Sequence, residues 1–295
     1  MPLPAAVFRT YPACPELRPY ICGYMTLTRE GSEPERTTLR TLPDGSHESR
    51  VNSADPLLTT MPPAAHQCIS FNFGDTWKVR SGGRPTLTPR TVWASGAMTE
   101  RGTFDIPRRA ETIDVMFHSG VAHNFLRVPA SELTDRVVAL DDLWGAAARR
   151  LVDQLAESSV MVERVRLLEQ ELVRRLRALR WMNVELGPLT RLIERERGIV
   201  TVEQLSRLSG VSRQHLGRKF RQQVGVSPKQ FCRYTRFHAL LTRAYMKTRL
   251  DWAALAAEFG YYDQAHLIAE FKEFTGLTPS QFFQPSAAAP ALAAD

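Results

Sequence analysis

The chain has 295 residues, of which 43% are hydrophobic and 23% are charged, and this composition excludes a disordered or fibrous protein. A chain of this length accommodates about two domains, each with its own core. No apolar run approaches the roughly 20 residues that a membrane-spanning helix needs, so we expect no membrane partner. The start MPLPAAVFRT lacks a basic region before an apolar segment, which argues against a signal peptide. The four scattered cysteines indicate reduced thiols in the cytoplasm rather than disulfides or a metal site.

The net charge of +7 is confined to one segment. From Arg191 to Phe283 there are 15 Lys or Arg and 8 Asp or Glu, a difference of +7, whereas the rest of the chain has 23 of each. A basic excess on one segment is the electrostatic pattern of a nucleic-acid-binding domain.

Residues 1–128 have the patterns of β-strands. The stretch CISFNF (Cys68 to Phe73) alternates apolar with smaller or polar residues, and TIDVMF (Thr112 to Phe117) is a second β-branched run. Turn signals separate such runs, among them PDG at residues 43–45 and SGGRP at residues 81–85. The sequence predicts a β-barrel or β-sandwich.

Residues 129–190 have a helical period instead. Leu143, Ala147, Leu151 and Leu155 lie four residues apart, and a second apolar stripe is formed by Val165, Leu168, Leu172 and Leu176. These stripes fit either packing on the β domain or pairing with a second subunit. We take the region as a helical linker that holds a homodimer together, with the second stripe as the favoured seam. The tail at residues 285–295 has too little to bury and is predicted to be disordered.

The basic segment contains an internal repeat. Six residues recur 51 positions later in the chain, namely His215 as His266, Leu216 as Leu267, Phe220 as Phe271, Gly225 as Gly276, Pro228 as Pro279 and Phe231 as Phe282. A helical unit is therefore built twice.

Each copy has the start and stop signals of a helix-turn-helix. In the first, Thr201 and Gln204 form a capping box, Gly210 ends the helix and Ser212 caps the next one. In the second copy, Asp251, Gly260 and Asp263 take the same places. In such a motif the second helix enters the major groove of DNA.

Residues 228–245 lie between the copies and can form one helix of about 27 Å at 1.5 Å per residue. One turn of B-DNA is about 34 Å, so a rigid spacer of that order can set two recognition helices in successive major-groove segments.

The region from Arg191 to about residue 284 resembles the DNA-binding domain of the AraC/XylS family of bacterial transcription regulators. FGYYDQAHLIAEFKEFTGLTPSQF is similar to the family signature over its second helix-turn-helix, and RYTRFHALL is similar to its linking helix. The upstream stretches RPYICGYM, TLPDG and ASELTDRVVALDDLWG resemble a cupin-like sensory domain of one branch of that family. The resemblance implies an α+β chain with an N-terminal cupin-like β domain, a helical linker region and an all-α domain of two helix-turn-helix units joined by a long helix. It also implies contact with RNA polymerase.

On the first recognition helix the outward positions are Arg213, Gln214, Gly217, Arg218 and Arg221. The resemblance implies base contacts at Gln214, Gly217 and Arg218, although Gly217 has no side chain with which to make one. Arg218 is the favoured base contact because a guanidinium can bond both acceptors of one guanine, and a phosphate contact is the alternative.

On the second recognition helix the outward positions are Gln264, Ala265, Ile268, Ala269 and Lys272. Relatives often hold an Arg where this chain has Ala269, which leaves Gln264 for adenine and Ala265 or Ile268 for thymine methyl groups. We therefore expect this half mainly to anchor the DNA backbone, through Lys247, Lys272 and helix N-termini. Arg236 on the linking helix is a further candidate for a phosphate contact, or for pairing with Glu258 or Asp251.

The sequence thus predicts a one-component transcription regulator that binds double-stranded promoter DNA, forms a homodimer and responds to a small molecule, with no cofactor and no catalytic activity. The alternative is a metal-dependent cupin-type enzyme fused to a DNA-binding module. His47, His66, His118 and His123 are its candidate ligands, but the usual H-x-H with a following Glu is absent.

Overall fold

A computed structural model describes residues 6–29, 39–41, 47–51, 57–81, 91–107, 109–179, 185–246 and 250–283. The predicted turn at residues 43–45, most of the one at residues 81–85, Lys247 and the tail at residues 285–295 lie outside the described residues.

The N-terminal half is built from two antiparallel sheets. The first contains, in spatial order, β11 (Val137–Ala139), β8 (Val92–Ser95), β6 (Cys68–Asn72), β10 (Ala110–Phe117), β2 (Ile21–Arg29), β1 (Ala6–Tyr11), β4 (His47–Val51) and β3 (Leu39–Thr41). The second contains β5 (Leu57–Met61), β9 (Gly102–Ile106) and β7 (Lys78–Ser81). Both strands predicted from the alternating patterns are confirmed, as β6 and β10.

One face of the first sheet carries the main core of this half. Ile69 and Phe71 on β6 and Ile113 and Val115 on β10 are at most 1% exposed, because every second side chain of a strand points to the same face. Five helices follow in the chain: α1 (Ala122–Leu126), α2 (Ala130–Leu133), α3 (Leu140–Trp144), α4 (Ala146–Ala156) and α5 (Met161–Ala178). Residues of α1, α3, α4 and α5 join the sheet residues in a single hydrophobic cluster.

The predicted dimer seam lies inside this core. Val165, Leu168 and Leu172 of α5 are 6%, 1% and 2% exposed and pack in the same cluster as the sheet, with Leu176 at its margin. The stripe is apolar, as predicted, and it is buried in the hydrophobic core of its own chain, where α5 lies against α4 and α1. Helices α4 and α5 thus share the hydrophobic core of the N-terminal half, and the dimerisation region at residues 129–190 stays a prediction.

The C-terminal half is all helical. Its helices are α6 (Gly187–Arg195), α7 (Val202–Ser209), α8 (Arg213–Val224), α9 (Pro228–Tyr245), α10 (Trp252–Glu258), α11 (Gln264–Thr275) and α12 (Pro279–Phe282). A second hydrophobic cluster contains residues from all seven of them. Within the described part of the chain, no helix combines the length and the apolar character that crossing a bilayer requires.

The position of α6 places the boundary between the two domains earlier than the predicted residue 190. Leu186, Leu189 and Ile193 are at most 8% exposed and belong to the C-terminal cluster, so a boundary after residue 190 would cut through α6. The C-terminal domain starts at about residue 185.

Candidate nucleic-acid interface

The first helix-turn-helix unit is made by α7 and α8. The Thr201 hydroxyl accepts from the Gln204 amide, the Gln204 side chain accepts from the Thr201 amide, and the predicted capping box is confirmed. Gly210 ends α7 with φ of 67°, a left-handed conformation that favours glycine. Ser212 then caps α8 through the His215 amide, 3.2 Å away. Because Leu216 and Phe220 are completely buried, the orientation of α8 is fixed and its opposite side faces outward.

The second unit repeats this construction with α10 and α11. Asp251 caps α10, Gly260 turns the chain with φ of 65°, and Asp263 caps α11 through the His266 amide at 2.7 Å. Leu267 and Phe271 are completely buried, in the places that Leu216 and Phe220 take in the first unit. The predicted duplication is therefore confirmed down to the caps and the inward residues.

The outward side of α8 presents a basic and polar surface. Arg213, Gln214, Arg218 and Arg221 are all exposed, as predicted for DNA contacts. Arg218 donates from Nη2 to Nδ1 of His215 at 3.0 Å, so the imidazole is a local partner of the proposed reader. This exposed contact leaves the remaining N–H groups of the guanidinium available to a nucleic acid.

The outward side of α11 is different in character. Gln264, Ala265 and Lys272 are exposed, while Ile268 is half-buried. Tyr262, in the turn before α11, is 93% exposed and was not among the sequence-predicted candidates. Its aromatic ring extends the surface presented by this unit.

A buried carboxylate ties the second recognition helix to the linking helix α9. Glu270 of α11 is 3% exposed; it accepts from Arg233 at 2.7 Å, from Arg236 at 3.1 Å and from the Tyr261 hydroxyl at 2.8 Å. Burial acts to raise the pKa of Glu270, but the two arginines and Tyr261 outweigh it and the pKa is lowered. Sequence reasoning missed this residue, although a charged side chain on the inward face of α11, beside Leu267, was a signal.

This network corrects the prediction for Arg236. Its guanidinium bonds Glu270 and stacks over the Tyr261 ring, 4.3 Å from the centroid, and its side chain is 16% exposed. The partner is neither Glu258 nor Asp251. Arg236 thus stabilises the packing of α9 against α11, which argues against a phosphate contact at this residue.

The N-terminal domain contacts the C-terminal ends of both recognition helices. Gln67 donates to the carbonyl of Gln223 at 3.3 Å, and Thr134 donates to that of Gly225 at 2.8 Å, both at the end of α8. Arg101 donates to the carbonyl of Thr275 at the end of α11, at 3.3 Å. Carbonyls at helix ends lack intrahelical partners, so these side chains act as caps supplied by the other domain. The exposed readers at the start and middle of α8 and α11 are left uncovered.

A histidine on the linking helix adds to the domain contact. His238 of α9 donates from Nε2 to the carbonyl of Pro63 at 3.0 Å, and its ring lies 5.9 Å from that of His66. Burial, with the neighbouring His66, lowers the pKa of His238 to about 4, so it is neutral near pH 7. No sequence pattern brings these residues together, because they are 172 positions apart.

The candidate metal ligands are not brought together. Among the described residues, no three His, Cys, Asp or Glu side chains are grouped closely enough to hold a metal ion. His118 instead donates to the carbonyl of Arg18 at 3.0 Å and accepts from the Cys22 thiol at 3.3 Å. The side chain of His47 lies outside the described residues.

Residues 205–285 match the family described as a helix-turn-helix domain, and the match covers the end of α7 and all of α8 to α12. The chain carries an AraC-type helix-turn-helix domain. Residues 9–139 match a domain of unknown function (DUF6597), and the cupin-like resemblance of this half stays a prediction.

Part of the chain is similar to a curated relative. An uncharacterized HTH-type transcriptional regulator of Haemophilus influenzae (strain ATCC 51907 / DSM 11121 / KW20 / Rd) is 36% identical over 83 residues, which are 28% of this chain and 27% of the relative. The matched stretch thus spans about a quarter of that protein.

The solved structures that are similar to this chain include the following two. The C-terminal domain of AraT, a response regulator from Geobacillus stearothermophilus, has a TM-score of 0.31 and 21% identity, covering 34% of this chain and 83% of that one. ToxT from Vibrio cholerae O395 has a TM-score of 0.43 and 10% identity, covering 77% of this chain and 94% of that one.

Proposed function

We propose that this chain is a transcription regulator that binds promoter DNA with sequence preference, placing α8 and α11 in two successive major-groove segments. The observation that carries the proposal is the exposed reader surface on each of two equivalent helix-turn-helix units. The 18 residues of α9 separate the units by a rigid spacer of about 27 Å, close to one turn of B-DNA.

Binding of the full-length protein to DNA is expected to weaken steeply with salt. If about six phosphates are neutralised by basic side chains, affinity falls by roughly 10³-fold between 50 and 200 mM salt, because condensed counterions are released on binding. Fluorescence anisotropy with a labelled promoter fragment measures this slope. Equal affinity at the two salt concentrations would contradict a contact led by phosphates, and no binding at either would contradict the proposed function.

The two recognition helices are expected to contribute unequally to sequence preference. Arg218→Ala should cost about 1–3 kcal/mol and relax selectivity at one base pair, because a bidentate contact to guanine is lost. Gln264→Ala should cost less, since the α11 surface around it is mostly apolar. Selection from a randomised DNA library gives the preference of each variant.

Arg166→Ala is the control for the loss of one positive charge, because Arg166 is an exposed arginine of α5, far along the chain from the readers. Equal losses of discrimination in Arg218→Ala and Gln264→Ala would show that α11 reads bases as strongly as α8.

The remaining parts of the proposal concern the first half of the chain and its partners. We propose a cytoplasmic homodimer that responds to a small molecule and contacts RNA polymerase. The contact of the N-terminal domain with both recognition helices supports a sensory role. A conformational change in that domain would move the side chains that cap the ends of α8 and α11. We favour this regulator over the metal-dependent cupin-type enzyme, since no three His, Cys, Asp or Glu side chains of the described residues are grouped closely enough to hold a metal ion. Light scattering of the purified protein tests the dimer.

A further inference from the structure

The two faces of the large N-terminal sheet are packed very differently. The face covered by helices is sealed, with Ile113 and Phe71 at 0% exposure. The opposite face, which faces the second sheet, carries a small apolar cluster around Leu27 and Ile106 in the described part of the chain. Met25, Cys68, Ser95, Asp114 and Met116 share that face through their strand pairings, and all of them remain half-buried. These five side chains are therefore partly accessible to solvent, whereas Ser70 and Thr112 of the same face are 3% and 2% exposed.

Polar groups are concentrated at the centre of this face. The Cys68 thiol lies 3.0 Å from the Ser95 hydroxyl and 3.6 Å from that of Ser70. Asp114 of β10 lies opposite Ser70 of the neighbouring strand β6. The Asp114 carboxylate accepts a hydrogen bond from the Thr112 hydroxyl at 3.5 Å. Thiol, hydroxyl and carboxylate groups of three adjacent strands thus converge on one place, which we call the Asp114 cluster: Cys68, Ser70, Ser95, Thr112 and Asp114.

The carboxylate of the cluster has no matching positive charge among the residues that the structure describes. Only the hydroxyls of Ser70 and Thr112 interact favourably with Asp114 among the described residues, and no Lys, Arg or His of those residues pairs with it. Burial raises the pKa of Asp114 to about 6, so the group is still mainly ionised near neutral pH. A sheltered carboxylate without a counter-ion is destabilising in a folded protein, and a cationic ligand supplies the missing partner.

We propose that the Asp114 cluster is a binding site for a small molecule that carries a cationic nitrogen, either an amine or a guanidine. The nitrogen would donate to the Asp114 carboxylate, and the hydroxyls of Ser70 and Ser95 would contact neighbouring polar groups of the ligand. A site with one charged anchor and a few polar groups on an otherwise apolar wall is typical of small-molecule recognition.

Two residues of the cluster, Cys68 and Ser95, lie close in sequence to residues that contact the AraC-type domain. Cys68 directly follows Gln67, the side chain that caps the end of α8. Ser95 is two residues before Ala97, which is completely buried in the core of the C-terminal domain. A ligand that displaces Cys68 or Ser95 would therefore change the support of the first recognition helix. This regulatory step rests on the proposed function.

The site is tested with the full-length protein by thermal unfolding at pH 7.5, in the absence of DNA. Ethanolamine and benzylamine are the probes, and ethylene glycol and benzyl alcohol are their uncharged counterparts. We expect at least one amine to raise the Tm saturably while its alcohol does not, and Asp114→Asn to abolish the effect. Asp153→Asn, which removes an exposed carboxylate from α4, is the control and should respond to the amine like the unmodified protein.

Asp114→Asn has a second expected effect that requires no ligand. Removing the unpaired charge should raise the Tm by about 5 °C at pH 7.5. The folded-state pKa lies above the unfolded value, so the ionised group destabilises the fold fully above about pH 6 and progressively less below it. The gain should accordingly shrink at pH 5.

Three results would overturn the proposal. The first is a lower Tm for Asp114→Asn, which would mean that the carboxylate already has a partner in the chain. The others are stabilisation of Asp114→Asn by the amines to the same extent as the unmodified protein, and no effect of the amines on the unmodified protein. Metal chlorides form a further arm, and stabilisation by Mg²⁺ or Zn²⁺ in place of the amines would also contradict it. DNA binding without added amine distinguishes this failure from failure of the proposed function, because Asp114→Asn leaves the recognition helices unchanged.

Discussion

Glu270→Ala is expected to destabilise the AraC-type domain by about 3–5 kcal/mol, the usual cost of removing one partner of a buried ion pair. The carboxylate is 3% exposed and bonds Arg233 and Arg236 together with the Tyr261 hydroxyl, so its loss removes the carboxylate that Arg236 bonds and leaves Arg233 with the exposed Glu273 alone. Since these contacts connect α9 with α11, DNA affinity should fall as well. Urea unfolding of the full-length protein, followed by circular dichroism at a helical wavelength, measures the loss.

Glu273→Ala is the matched control for this experiment. Glu273 lies on the same helix and bonds the same Arg233 at 2.7 Å, but its side chain is 58% exposed. An exposed pair of this kind contributes about 0–1 kcal/mol. Equal costs for the two variants would mean that the buried network contributes no more than a surface ion pair.

The pH dependence of stability gives an independent check on Glu270. Its folded-state pKa is lowered, so the stabilisation is complete above the ordinary carboxylate pKa and is lost as the pH falls through the folded value. Glu270→Ala should therefore flatten the acid limb of the stability curve.

The C-terminal fold was predictable because its signals are local. Capping residues such as Thr201 and Asp263 lie within three positions of the amides they bond, and Gly210 marks a turn through its own backbone. The repeat then indicates which side chains face inward, because equivalent residues such as Leu216 and Leu267 are expected to have equivalent surroundings in their two units. Most outward-facing residues follow from the same spacing.

The remaining features depend on contacts between distant parts of the chain. Arg236 could be placed on the linking helix, but the choice between phosphate and carboxylate depended on where α11 packs. The caps that Gln67 and Arg101 supply to the recognition helices link residues more than 150 positions apart. The cluster around Asp114 likewise requires the strand register, which no period in the sequence specifies.

The apolar stripe of α5 shows the same limit most clearly. An amphipathic helix predicts that a face is buried, and it does not identify the partner. Leu168 and Leu172 are buried in the hydrophobic core of their own chain, so the expectation for substitutions at these positions changes. At a dimer seam, Leu168→Glu would give a folded monomer, whereas in a core it unfolds the domain.

We expect Leu168→Glu and Leu172→Glu each to destabilise the N-terminal domain by about 4 kcal/mol or more, because an unpaired carboxylate would be buried at positions that are 1% and 2% exposed. Val162→Glu is the control on the same helix, at a position that is 56% exposed, and should change stability by less than about 0.5 kcal/mol. Thermal unfolding gives the stabilities, and light scattering gives the mass of whatever remains folded. If the unmodified protein is a dimer and Leu168→Glu is a folded monomer, the dimer contact is on α5 as first predicted. An unfolded N-terminal domain beside an unchanged Val162→Glu would assign the stripe to the core and leave the dimer contact to another surface.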